Sequence, residues 1–137
     1  MSNLLYILLA ILLLAILIVA HEWGHFIFAR LCGIEVKEFS VGFGKRLCGW
    51  TSKKSGTMFS LRLVPLGGYC MFYEDETEES GDAGDKAYSR QPVWKRFISV
   101  LMGPGMNFLL AIVVLIAYLA FVGLPSVNDG KTLVIRY

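Results

Sequence analysis

Two long apolar stretches frame a more polar middle. From Leu4 to Ala20 no charged side chain occurs, and Phe26, Ile27, Phe28 and Ala29 continue the apolar character past a polar cluster at residues 21–25. This pattern predicts one helix from about Leu4 to Leu31. The second stretch, Phe97 to Gly123, is charge-free throughout. As a helix it would run roughly 40 Å, enough to cross a bilayer. Between them the period changes. Phe39, Val41 and Phe43 alternate with Ser40 and Gly42, and Phe59, Leu61 and Leu63 alternate with Ser60 and Arg62. Alternation of this kind predicts strands over Ile34–Gly44 and Met58–Val64, joined by a polar turn over Gly49–Gly56. Pro65 should stop the pairing and leave the following segment at an edge. Leu66-Gly67-Gly68-Tyr69 permits close backbone approach. Pro92 suits the first turn of the second helix, and Trp94 suits a membrane interface.

Composition agrees with membrane residence. Of 137 residues, 55% are hydrophobic, too many for an ordinary soluble domain. The net charge of +2 matters less than its distribution: 11 of the 13 Lys and Arg lie between Arg30 and Arg96. By the positive-inside rule the central loop is cytoplasmic and both ends face outward. The expected location is the inner, cytoplasmic membrane, as a multi-pass protein. A cleaved signal peptide is a poor reading of residues 1–20, because no basic region precedes the run and no small-x-small site follows it. Glu74, Asp75, Glu76, Glu78, Glu79, Asp82 and Asp85 form an acidic tract, read as solvated loop. Cys32, Cys48 and Cys70 are odd in number and form no C-x-x-C, so they read as reduced thiols.

The polar cluster is His21-Glu22-Trp23-Gly24-His25, and the chain has no other histidines. Residues four apart on a helix stand one turn above each other, so both imidazoles can address one metal ion. Glu22 lies roughly 60° around the helix from His25, beside such an ion rather than on it. The pattern makes His21 and His25 candidate zinc ligands and Glu22 the candidate general base. Ionisable groups inside an apolar span are costly and mark function. Counting from Arg30, Glu22 should lie roughly 12 Å below the cytoplasmic boundary.

The hairpin is unusually apolar for a cytoplasmic loop, which suggests a segment dipping back towards this site. Irregular backbone at membrane depth must pack on protein or line a cavity. A strand edge there could hold an unwound peptide by β-augmentation. A small sheet that merely caps the helices is the plainer reading. On the second span, Gly103 and Gly105 let a helix approach closely and Pro104 frees a backbone carbonyl. Asn107 needs a polar partner, in the zinc site, the substrate backbone or a helix interface.

These residues resemble the site-2 protease family of intramembrane zinc metalloproteases, in its bacterial regulator-cleaving branch. The resemblance rests on His21-Glu22-Trp23-Gly24-His25-Phe26, Phe39-Ser40-Val41-Gly42-Phe43-Gly44-Lys45, Pro65-Leu66-Gly67-Gly68-Tyr69 and Gly103-Pro104-Gly105-Met106-Asn107-Phe108. It implies Zn2+ at His21 and His25, with Glu22 activating water. It implies a membrane α-helical fold: two transmembrane helices joined by a cytoplasmic loop with a small re-entrant β-hairpin. It implies single-span membrane proteins, such as anti-sigma factors, as substrates, with the lipid bilayer as surroundings and no nucleic acid as partner. Gly42, Phe43, Gly44, Pro65, Leu66, Gly67, Gly68 and Asn107 become candidate substrate-binding residues.

The resemblance also implies a third zinc ligand, an aspartate on a later helix, expected beyond Tyr137. The expected divisions are 1–31 (first span), 32–91 (loop and hairpin), 92–124 (second span) and 125–137, where an outer-side PDZ domain would begin. Asp129 is a poor substitute ligand, since it lies across the second span from the motif; Asn128-Asp129-Gly130 reads as a turn. The expected function is the N-terminal half of an intramembrane zinc endopeptidase, inactive alone for want of the third ligand. Two alternatives stand: a membrane-anchored zinc peptidase acting on cytoplasmic peptides, and a non-catalytic relative that binds membrane proteins.

Overall fold

The computed structural model describes residues 3–73, 84–122, 125–128 and 132–135. Its order is helix α1 (Asn3–Leu31), strand β1 (Val36–Thr51), strand β2 (Met58–Phe72), a short 3₁₀ turn (Gly84–Lys86), helix α2 (Val93–Val122), and strands β3 (Pro125–Asn128) and β4 (Thr132–Ile135). Both helices are long and apolar enough to cross a membrane. They are apolar on all sides: only Gly24 and Ala29 on α1, and Ser99 and Gly103 on α2, are buried. A helix with no polar face has no water-facing side, as lipid exposure requires.

α1 ends where the chain can turn. Gly33 takes φ 78°, and the Gly33 N–H donates to the Arg30 carbonyl while the Ile34 N–H donates to that of Ala29. This double bond pattern closes the helix and folds Ile34 back onto Ala29. Ala29, Ile34 and Val36 form the small fully buried core, lined by Phe26, Cys32, Cys70, Phe72 and Tyr88. Tyr88 stacks on Phe72 with ring centres 4.9 Å apart. The segment after the acidic tract thereby closes the base of the sheet. Residues 74–83 of that tract lie outside the described residues; Asp85 sits in the 3₁₀ turn.

The hairpin is larger than its sequence suggests. Gly49–Thr51 belong to β1 rather than to the turn, which runs over residues 52–57. β2 continues through Pro65 to Phe72. The strands pair antiparallel, but each is bent, so the pairing doubles. Phe39 sits between Cys70 on one side and Phe59 on the other, and Val41 between Gly68 and Leu61. Trp50 also pairs with Phe59. The bend in β1 falls at Gly42 (φ 90°) and Gly44 (φ 81°), where an L side chain would be strained. In β2 residues 65–67 have no partner in the register. Pro65 therefore interrupts the pairing without ending it, because the strand resumes against the far side of β1. The resumed stretch, Gly68–Phe72, lies at an edge of the sheet.

Each face of this sheet has its own chemistry. Phe39 and Phe59 pack with Trp23 and Phe26 of α1, at centroid distances of 5.5–5.8 Å. The other face carries an ion pair, Arg62–Glu38, at 3.0 Å. The Arg62 guanidinium also donates to Ser40 Oγ, the Gly44 carbonyl and the Tyr69 hydroxyl, tying both bends and the edge strand together. Burial opposes ionisation of Glu38, but hydrogen bonds from Ser60, Arg62 and Tyr69 and the Arg62 charge hold its carboxyl below the ordinary range.

The hairpin lies along α1. Its turn meets the helix end, where Arg30 donates to the Ser55 carbonyl, and its bend reaches back to Ile18 and Glu22. β3 and β4 pair antiparallel, with Asn128 opposite Thr132. Asp129 and Gly130, read from the sequence as part of a turn, lie outside the described residues.

Candidate metal centre

The site is built where α1 and α2 are in tight contact. Gly24 rests on the Met102 carbonyl so tightly that a Cβ would overlap it. The next residue of α2, Gly103, faces the two imidazoles. A Cβ at Gly103 would overlap His25 and come within 2.9 Å of His21 Nε2. These two glycines, one per helix, make room for paired rings between the spans.

The rings are oriented from α2. His25 Nδ1 lies 2.8 Å from the Ser99 carbonyl oxygen. A carbonyl only accepts, so Nδ1 carries the proton and the Nε2 of the neutral ring is bare. That is the form in which histidine ligates a metal, with its other nitrogen held by an acceptor. His21 Nε2 stands 3.2 Å from His25 Nε2, with the rings edge to face. Two bonds of about 2.0–2.1 Å spanning that gap give an N–metal–N angle of about 100–106°, near the tetrahedral value zinc adopts. The pair therefore fits two corners of a zinc site. Among the described residues, no group of three or more His, Cys, Asp or Glu side chains could hold a metal.

Glu22 faces the hairpin rather than α2, as its helix angle requires. A Cβ on Gly68 would lie 3.1 Å from Glu22 Cγ and 3.6 Å from Ile18. An open cavity of about 340 Å³ lies here, lined by His21, Glu22, Asn107, Phe43, Leu66, Gly67 and Gly68, with Leu14, Leu17 and Ile18 behind them. Five of the eight sequence-derived substrate residues thus share one cavity with the candidate base. Gly42, Gly44 and Pro65 do not line it; they lie at the bends that aim the edge strand. Asn107 also approaches His21, with Nδ2 3.4 Å from Nδ1. Ser99 escaped sequence reasoning, because it acts through its backbone carbonyl and its own hydroxyl bonds the Arg96 carbonyl.

A sequence model described as peptidase family M50 matches residues 9–134. The chain belongs to this family, the site-2 proteases. M50 relatives include proteins named "Putative zinc metalloprotease" from Brucella suis, 39% identical over 121 residues, and Helicobacter pylori, 42% identical over 126 residues. The matches cover 80% and 88% of this chain but 32% and 35% of those proteins. The chain thus spans about a third of the length of these curated relatives. A relative in Vibrio cholerae is 40% identical over 122 residues.

Within this M50 chain one thiol, Cys70, is packed against the small core of Ala29, Ile34 and Val36. Burial, with the Glu22 carboxylate adding to it, pushes the Cys70 thiol up to about 12. Cys48 is exposed. N-ethylmaleimide at pH 8 should therefore alkylate Cys48 while Cys70 resists until the protein is denatured. Equal rates at the two positions, read by mass spectrometry, would contradict this packing.

Proposed function

We propose that this chain forms the N-terminal part of the active site of an intramembrane zinc endopeptidase, cleaving single-span membrane proteins such as those of anti-sigma-factor type. The observation that carries the reading is the pair of Nε2 atoms facing each other across 3.2 Å, beside Glu22 and a strand edge, between helices apolar on all sides. α1 and α2 span the inner membrane, the loop between them is cytoplasmic, and the hairpin dips back along α1. The third protein ligand comes from the part of the relatives' length that this chain does not span.

His21 and His25 hold the metal, which supplies a Lewis acid and makes water nucleophilic at neutral pH. Glu22 takes the proton of the attacking water and passes it to the leaving amine. A peptide bond in a helix is shielded by its own hydrogen bonds, so the substrate must first be extended. The Gly68–Phe72 edge offers backbone donors and acceptors to such a strand. The apolar cavity wall of Leu14, Leu17, Ile18, Phe43 and Leu66 receives its side chains.

The test uses the intact protein in lipid vesicles with a single-span substrate. Bound zinc and cleavage within the span are expected, both lost in His25→Ala, with cleavage lost on chelation and restored by zinc. Chelator-resistant cleavage would overturn the reading. So would cleavage confined to soluble peptides.

A further inference from the structure

Four groups join across the site in one line. Asn107 Nδ2 lies 3.4 Å from His21 Nδ1, His21 Nε2 lies 3.2 Å from His25 Nε2, and His25 Nδ1 lies 2.8 Å from the Ser99 carbonyl. The direction of this chain is set at its far end. Ser99 must accept, so His25 carries its proton on Nδ1 and its bare Nε2 can accept from His21. With Nδ2 of Asn107 donating to His21 Nδ1, His21 carries its proton on Nε2. Every link then satisfies its neighbour, but the two Nε2 positions are spent on each other.

The amide has a second setting. Its two ends are nearly equal in size, and their assignment follows from the hydrogen-bond network. Asn107 Oδ1 is buried and has no hydrogen-bond partner. Turned by half a rotation, Oδ1 accepts from His21 Nδ1–H. The His21 proton then sits on Nδ1, as it does in His25, and both Nε2 lone pairs are free to converge. Between the two settings the His21 proton only changes nitrogen. A side-chain amide can serve both, since it carries a donor and an acceptor on one rotor.

We propose that Asn107 is a positioning residue for the metal ligand His21, its amide choosing whether His21 Nε2 donates to His25 or ligates. This rests on the zinc reading of the site. The Ser99 carbonyl does the same for His25 in one fixed setting, so α2 governs both ligands. Removing a partner of this kind typically lowers metal affinity about 10–100-fold.

The experiment measures zinc affinity of the intact protein by chelator competition, for the native protein, Asn107→Leu and Asn107→Asp. Leucine removes both amide ends; a carboxylate can only accept and so keeps the ligating setting. The expected result is affinity about 10–100-fold weaker in Asn107→Leu and at least native in Asn107→Asp. Equal affinity in all three would overturn the proposal. So would equal weakening in both variants, which would mark Asn107 as packing alone. Failure of the native protein to bind zinc would instead sink the reading beneath it.

Discussion

Glu22→Gln in the intact membrane protein is expected to lower peptide-bond cleavage by at least about 10²–10⁴-fold, with bound zinc unchanged. The separation of the two effects follows from the helix geometry. His21 and His25 turn towards α2, where the Ser99 carbonyl and Asn107 meet their Nδ1 atoms. Glu22, roughly 60° around the helix from His25, turns towards Gly68 of the hairpin. Glutamine keeps the shape of that side chain, so the cavity and the ligand pair should survive. What it loses is the capacity to take a proton from water. Zinc analysis and a cleavage assay on the same preparation decide the matter. Cleavage within about tenfold of native would remove Glu22 from the base's role. Loss of zinc alongside activity would show that Glu22 supports the metal instead.

Gly103→Ala should abolish tight zinc binding while leaving the two-helix fold in place, with an affinity loss beyond about 100-fold. The added methyl would occupy the space between the ligands, overlapping His25 and lying 2.9 Å from His21 Nε2. His25 cannot simply retreat, because its Nδ1 is held by the carbonyl of Ser99, one turn before Gly103 on α2. The clash falls on side chains, not on backbone, and alanine favours helix over glycine by about 1 kcal/mol. The fold therefore has a way to absorb the change, whereas the proposed metal site does not. Gly24→Ala is the informative contrast, since its methyl would meet the Met102 backbone carbonyl and force the helices apart. Chelator competition and circular dichroism on both variants separate the two cases. Native zinc affinity in Gly103→Ala would mean that the imidazoles are not confined as described.

Much of the site is legible along the chain because α-helical periodicity is local. The spacing of His21, Glu22 and His25 alone orders two imidazoles and a carboxylate around one helix, and the structure keeps that order. The alternating apolar positions announce two strands for the same reason. Pro65 shows where local reasoning thins. It marks a real interruption, yet β2 resumes at Gly68 because the far side of β1 is free to accept it. That availability depends on the bend at Gly42 and Gly44, a non-local fact. Ser99 was invisible for a different cause: a backbone carbonyl carries no residue-type signal.

By itself the sequence determined the two apolar helices, the paired strands, the His–Glu–His arrangement and the resemblance to site-2 proteases. All of these are set by side-chain type and by repeats within a few turns. The tertiary structure decided which α2 groups hold each imidazole, how the bent sheet brings Gly67 and Gly68 to Glu22, and why Gly103 must lack a side chain. These depend on distances between segments as many as 86 residues apart, as with His21 and Asn107, and only packing sets such distances.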